Sequence, residues 1–196
     1  PWEPLGDSWA DVGDTRRARE SYERVLELPN ADSVARAHAL TELERYDDAI
    51  ATASSALEDF DAGDDERARL QYSIAYALWS KGQTDMALAS AWEVVSLHPA
   101  NEDAMWLIRE IEQQHSRTAM QFRLIAEGQK DGRRFLVTSE VVADDEQEAR
   151  ELAIRFEPES VRSSIVFEEI KKLHRAAELP KGVYWRSDYM FEETRA

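Results

Sequence analysis

A stretch of about thirty residues recurs three times in the first half of this chain, spaced as two helices joined by a tight glycine turn. The first copy carries Trp2, Leu5, Gly6, Trp9, Gly13, Ala18, Tyr22 and Val25. A helix pair of this kind cannot bury its apolar face alone, so copies must stack, giving a continuous core and a long curved surface. Aligning the small residue of each second helix places Ala18, Ala49 and Ala87 in register, at separations of 31 and 38 residues. In the third copy Ile74, Ala75, Leu78, Gly82, Ala87, Ala91, Val94 and Pro99 fall at the same offsets, with Gly82 in the turn and Pro99 ending the second helix. The middle copy keeps Leu40, Tyr46, Ala49, Ala53, Ala56 and Leu57, but has Ala37 in place of Gly6 and Glu44 where its neighbours have the turn glycine.

On these residues the chain resembles the tetratricopeptide repeat family over about residues 1–100. The resemblance implies an α-helical solenoid of three helix pairs, wound as a right-handed superhelix with a concave ligand face. It implies a fold and not a function. Residues from Asn101, with Asp103, Ala104, Met105, Leu107, Ile108 and Ile111 at helical spacing, read as a capping helix that gives the array a polar end at Gln113 and Gln114. The array with its cap is thus expected over 1–117.

The helical rhythm stops near His115 and alternation takes over, so a small α+β domain is expected over 118–196. Phe122, Leu124 and Ala126 mark one strand, and Phe135, Val137 and Val141 another, with turn residues Lys130, Asp131 and Gly132 between them. Asp144, Asp145 and Glu148 can cap a helix striped by Ala149, Leu152, Ala153 and Phe156 and stopped by Pro158. Around Ile165–Leu173 a strand is favoured over a short helix, because a lone hairpin needs a third partner. The predicted order is β-β-α-β, and Val183, Tyr184, Trp185, Tyr189 and Phe191 supply a further edge strand or a cover. An uncovered sheet edge would accept a strand from a partner or from another copy of the chain.

Net charge is −16, and it is unevenly spread. Residues 1–117 hold 24 acids against 11 Lys and Arg, whereas 118–196 hold 16 against 13. Such a field repels nucleic acid and anionic lipid and attracts basic proteins or peptides. No apolar run is long enough to cross a bilayer. Pro1 already falls inside the first repeat without a signal-like leader, which allows for residues ahead of it. The absence of cysteine excludes disulfides and thiol catalysis and fits a cytoplasmic setting.

Phosphate-cradling loops, nucleophile elbows and His-Glu-x-x-His are all missing from the sequence. His38, His98, His115 and His174 lie far apart, and none has a His or Cys at metal-ligand spacing. Glu58, Asp59, Asp61, Asp64, Asp65 and Glu66 crowd six acids around Gly63, but off the calcium-loop pattern, and read as a solvated connector with Asp64 or Asp65 capping the next helix. No cofactor, metal or enzymatic activity is expected.

In the first helix of each pair, the stripe beside the motif positions should line the concave wall. It comprises Glu3, Asp7 and Asp11, then Val34, His38, Thr41 and Glu42, then Arg69, Tyr72, Tyr76 and Trp79, passing from acidic to aromatic. Glu3 and Asp7 stand where repeats that clamp a terminal carboxylate carry lysine and asparagine, so an acidic chaperone tail would meet like charge. The expected partner is a basic or aromatic protein segment bound at Glu3, Asp7, Asp11, His38, Glu42, Tyr72, Tyr76 and Trp79, and an immunity or inhibitor protein against a cationic toxin is the sharper form of that expectation. The alternative is an α+β domain that binds a small molecule, with or without catalysis, while the repeats serve oligomerisation.

Overall fold

A computed structural model describes residues 3–58 and 63–192, with side chains from Leu5 onward, so Trp2, Asp59 and Asp61 lie outside the described residues. The chain divides into two compact units, 1–94 and 95–196. The first is helical: α1 (Glu3–Asp11), α2 (Thr15–Glu27), α3 (Ser33–Glu42), α4 (Tyr46–Leu57), α5 (Asp64–Ser80) and α6 (Thr84–Leu97). Asp14 and Asp32 cap α2 and α3, accepting bonds from the Arg17 and Ala35 amides at 3.1 and 2.7 Å. The connector before α5 behaves differently from expectation. Gly63 takes the cap position, and Asp64, Asp65 and Glu66 sit in the first turn, where negative charge faces the positive helix end.

The three turns α1–α2, α3–α4 and α5–α6 close in one way. Gly13, Glu44 and Gly82 all adopt left-handed backbone, at φ 77°, 59° and 75°. Their N–H groups donate to Ala10, Thr41 and Trp79 carbonyls at 2.8–2.9 Å, and the next residues, Asp14, Arg45 and Gln83, donate to Trp9, Leu40 and Leu78 at the same range. The geometry therefore repeats at the 31- and 38-residue intervals that relate Ala18, Ala49 and Ala87, all of them buried. Small side chains let the helices approach, and in the first turn Gly6 does the same: a Cβ there would lie 2.4 Å from the Tyr22 ring.

The second unit holds α7 (Glu102–Glu112), β1 (Met120–Lys130), β2 (Arg133–Ala143), α8 (Glu146–Arg155), α9 (Glu159–Arg162), β3 (Val166–Arg175), β4 (Gly182–Arg186) and β5 (Met190–Phe191). Asp131 and Gly132, both left-handed, make the two-residue turn of the β1–β2 hairpin. The sheet is antiparallel in the order β3-β1-β2-β4, with β5 also on the free side of β2. Phe122, Leu124, Ala126, Phe135, Val137 and Val141 are buried on one face, and α8 packs there through Ala149, Leu152 and Ala153. Asp145 caps α8 and the Glu148 carboxylate reaches back to the Asp144 amide at 2.7 Å, a reciprocal box.

The helix expected to cap the array falls in this second unit. α7 packs against β4: the Arg109 guanidinium lies 3.9 Å over the Tyr184 ring and donates to the Val183 carbonyl, and the Lys181 amide donates to Gln114 at 2.6 Å. The second unit thus begins at Val95, within the last turn of α6, and takes in α7. At the other end of β4, Arg186 and Glu157, 3% and 4% exposed, pair through two bonds of 2.9 Å, and the Tyr189 hydroxyl adds a third to Glu157 at 2.6 Å. Burial, with the adjacent carboxylate, drives the Tyr189 phenol well above its ordinary pKa.

Two stability changes follow. Glu44→Gly should raise the unfolding free energy by about 1 kcal/mol, since only the left-handed strain is relieved, and thermal melting checks it. Arg186→Met should lower it by about 3–5 kcal/mol in chemical denaturation, because Glu157 would remain buried without its counter-charge.

Candidate functional site

Asp7, His38 and Tyr76 stand at one repeated position, each six residues ahead of the left-handed residue of its turn, Gly13, Glu44 or Gly82. The fold brings them together with their neighbours. The Tyr22 hydroxyl donates to Asp7 Oδ1 at 2.8 Å, and His38 Nε2 donates to the same oxygen at 2.9 Å. The two rings meet edge to face, with centroids 5.8 Å apart. Both bonds hold Asp7 by one oxygen, and among the described residues Oδ2 takes none, while the side chain stays 46% exposed.

Glu42, one helical turn beyond His38, makes no ion pair among the described residues. Its carboxyl is held above the ordinary carboxylate range, first by desolvation, with His38 opposing and Asp7 adding to the rise. Glu42 remains in reach of solvent, so the crowding of protein atoms around it, and not enclosure, is what withdraws water. The field of Glu42 extends to Tyr76, whose phenol is raised by burial and then by Glu42, Tyr46 and Glu44. From Tyr76 an aromatic ladder runs along α5, to Tyr72 at 6.2 Å and to Trp79 at 5.6 Å between centroids. Tyr22 is raised well above its usual range by burial, by its bond to Asp7, and by the fields of Glu42, Asp7 and Asp11.

Asp7 and His38 are thus bonded to one another, Tyr72, Tyr76 and Trp79 follow one another along α5, Glu42 acts on Tyr76 through its charge, and Asp11 reaches the group only through the charge it adds near Tyr22. Glu3 opens α1, but its side chain lies outside the described residues. Val34 and Thr41, read as part of the stripe, are buried instead, and the Thr41 hydroxyl donates to the Ala37 carbonyl at 2.9 Å. A groove of about 430 Å³ lined by Tyr22, Glu42, Glu44, Arg16 and Arg19 opens beside the cluster, space enough for a long side chain. Arg16 and Arg19 are engaged by Glu20 and Glu23.

Tyr22 is the residue that sequence reasoning placed only in the core. Its signal was present: an aromatic ring with a polar tip at the position where the other copies carry Ala53 and Ala91, opposite the one motif glycine, Gly6, that leaves room for it. Among the described residues no group of three or more His, Cys, Asp or Glu is placed to hold a metal ion, and no helix is long and apolar enough to cross a membrane. Compared with known proteins, the sequence matches no protein-family model and no curated protein.

The raised carboxyl of Glu42 sets a pH dependence. Because its pKa is higher folded than unfolded, protonation favours the folded state; that contribution is complete below the unfolded pKa and is lost as pH rises through the folded one. Glu42→Gln should therefore melt at a higher temperature than the natural chain at pH about 7, and the gap should close as pH falls below about 4.

Proposed function

We propose that this chain is a non-enzymatic protein-binding module in which a tetratricopeptide-type array takes a basic segment of a partner protein into an acidic and aromatic hollow. The observation that carries this reading is the pair of carboxylates, Asp7 and Glu42, set beside an aromatic ladder. Asp7 is fixed by two donors yet keeps Oδ2 open, and Glu42 is desolvated without a counter-ion among the described residues. A Lys or Arg entering there would gain two charge-assisted contacts and relieve the raised Glu42 carboxyl. Tyr76 and Trp79, meeting edge to face on α5, form the aromatic side of the hollow beside these carboxylates.

The net charge of −16 supports fast capture of cationic proteins, the behaviour an immunity or inhibitor protein would need against a basic toxin. A cytoplasmic setting accords with a chain that has no cysteine. The sheet unit supports a small-molecule role less well. Its cavity between α8 and the sheet, lined by Leu124, Val137, Ser139 and Phe167, holds about 10 Å³, room for one water and not for a metabolite.

Isothermal titration with a short Lys- and Arg-rich peptide carrying one aromatic residue should give binding that weakens as salt is raised. Asp7→Asn combined with Glu42→Gln, and separately Tyr76→Ala with Trp79→Ala, should each reduce affinity by at least about tenfold. Equal binding of an acidic peptide of the same length would overturn the proposal.

A further inference from the structure

β3 ends the sheet, paired with β1 on one side and with no strand on the other among the described residues. Its sequence, Phe167-Glu168-Glu169-Ile170-Lys171-Lys172-Leu173, is its own complement when read backwards with charges exchanged. We propose that this edge joins a second copy of the same chain, with β3 pairing antiparallel to β3 across a two-fold axis at Ile170. The inference is independent of the hollow on the helical unit.

In that register Glu169 lies opposite Lys171 of the second copy on either side of the Ile170 pair, and symmetry makes this pairing occur twice; Glu168 and Phe167 fall at the irregularity of β3 and carry no part of the pairing. No neighbouring register does this. Moving the axis by one residue sets Glu169 against Leu173, or Lys171 against Phe167, and a parallel pairing in register sets each charge against itself. The edge therefore selects one partner and one alignment while rejecting others, which is how a charged edge strand avoids indiscriminate pairing.

The strand is suited to the task where the axis falls. Pairing with β1 runs unbroken from Glu169 to Lys172, opposite Ile125, Leu124, Arg123 and Phe122, and the irregularities lie outside that stretch. Glu169 and Lys171 are exposed and occupy the same sheet face as Ile125 and Arg123. Arg123 is committed to Glu140 at 2.7 Å, so it adds a like charge beside Lys171 and leaves Lys171 to an acid from elsewhere. Among the described residues Glu168, Glu169, Lys171 and Lys172 form no ion pair. A two-fold pairing consumes the β3 edge of both copies, so it closes at two chains and does not propagate through that edge.

Sedimentation of the full chain over a range of concentrations should show a monomer–dimer equilibrium. Glu169→Lys and Lys171→Glu, each alone, should weaken the dimer by about tenfold or more, since like charges would then face each other at both symmetric positions. An equimolar mixture of the two single variants should dimerise again as one chain of each, and the double exchange E169K/K171E should associate like the natural sequence. Both positions are exposed, so the variants should keep the natural melting temperature as monomers. A natural chain that stays monomeric throughout, single variants that dimerise unchanged, or a mixture that fails to recover would each overturn the proposal.

Discussion

The left-handed residue that closes the turn within each helix pair governs the first unit. It fixes where one helix stops and the next begins, and thus which side chains of α1, α3 and α5 come abreast. Asp7, His38 and Tyr76 meet because each precedes that residue by the same interval. Two glycines adopt the conformation freely, and Glu44 adopts it under strain, held by the bonds that its own and the following amide make to Thr41 and Leu40. The register is so strongly demanded by packing of the alanine-lined helices that an unfavourable backbone at one turn is tolerated.

The two units treat charge in opposite ways. In the sheet unit, Glu157 is withdrawn from water and fully matched by Arg186 and Tyr189, while Lys181 answers both Asp144 and Glu148. In the helical unit, Glu42 is desolvated without such a match and Asp7 is only half used. One acid is thus enclosed and fully matched, whereas Asp7 and Glu42 stay in reach of solvent, Asp7 held by Tyr22 and His38 through a single oxygen.

Much of this was legible in the sequence because it rests on local rules. The hairpin needed only two residues tolerant of positive φ, Asp131 and Gly132, between alternating apolar runs. The cap of α8 was written in Asp145 and Glu148, and β3 followed from the need of a hairpin for a third strand. The aromatic tail took its place on the β2 edge as the alternation of Val183, Trp185 and their neighbours allowed. What local rules could not show were the long-range choices. Helical spacing in α7 says that it is a helix, but its packing depends on Val183 and Tyr184, more than seventy residues after Arg109. Glu157 and Arg186 look like ordinary surface residues until the fold buries them together. The hydroxyl of Tyr22, invisible in a motif that asks only for bulk, orients Asp7.

The repetition of one position across three helices also bears on how such a surface changes over time. The residues at 7, 38 and 76 project from a frame maintained by others, chiefly Ala18, Ala49, Ala87 and the turn residues, all of which sit elsewhere. On the proposed reading, a single substitution at one of these positions would alter what the hollow accepts while the architecture beneath it goes on unchanged.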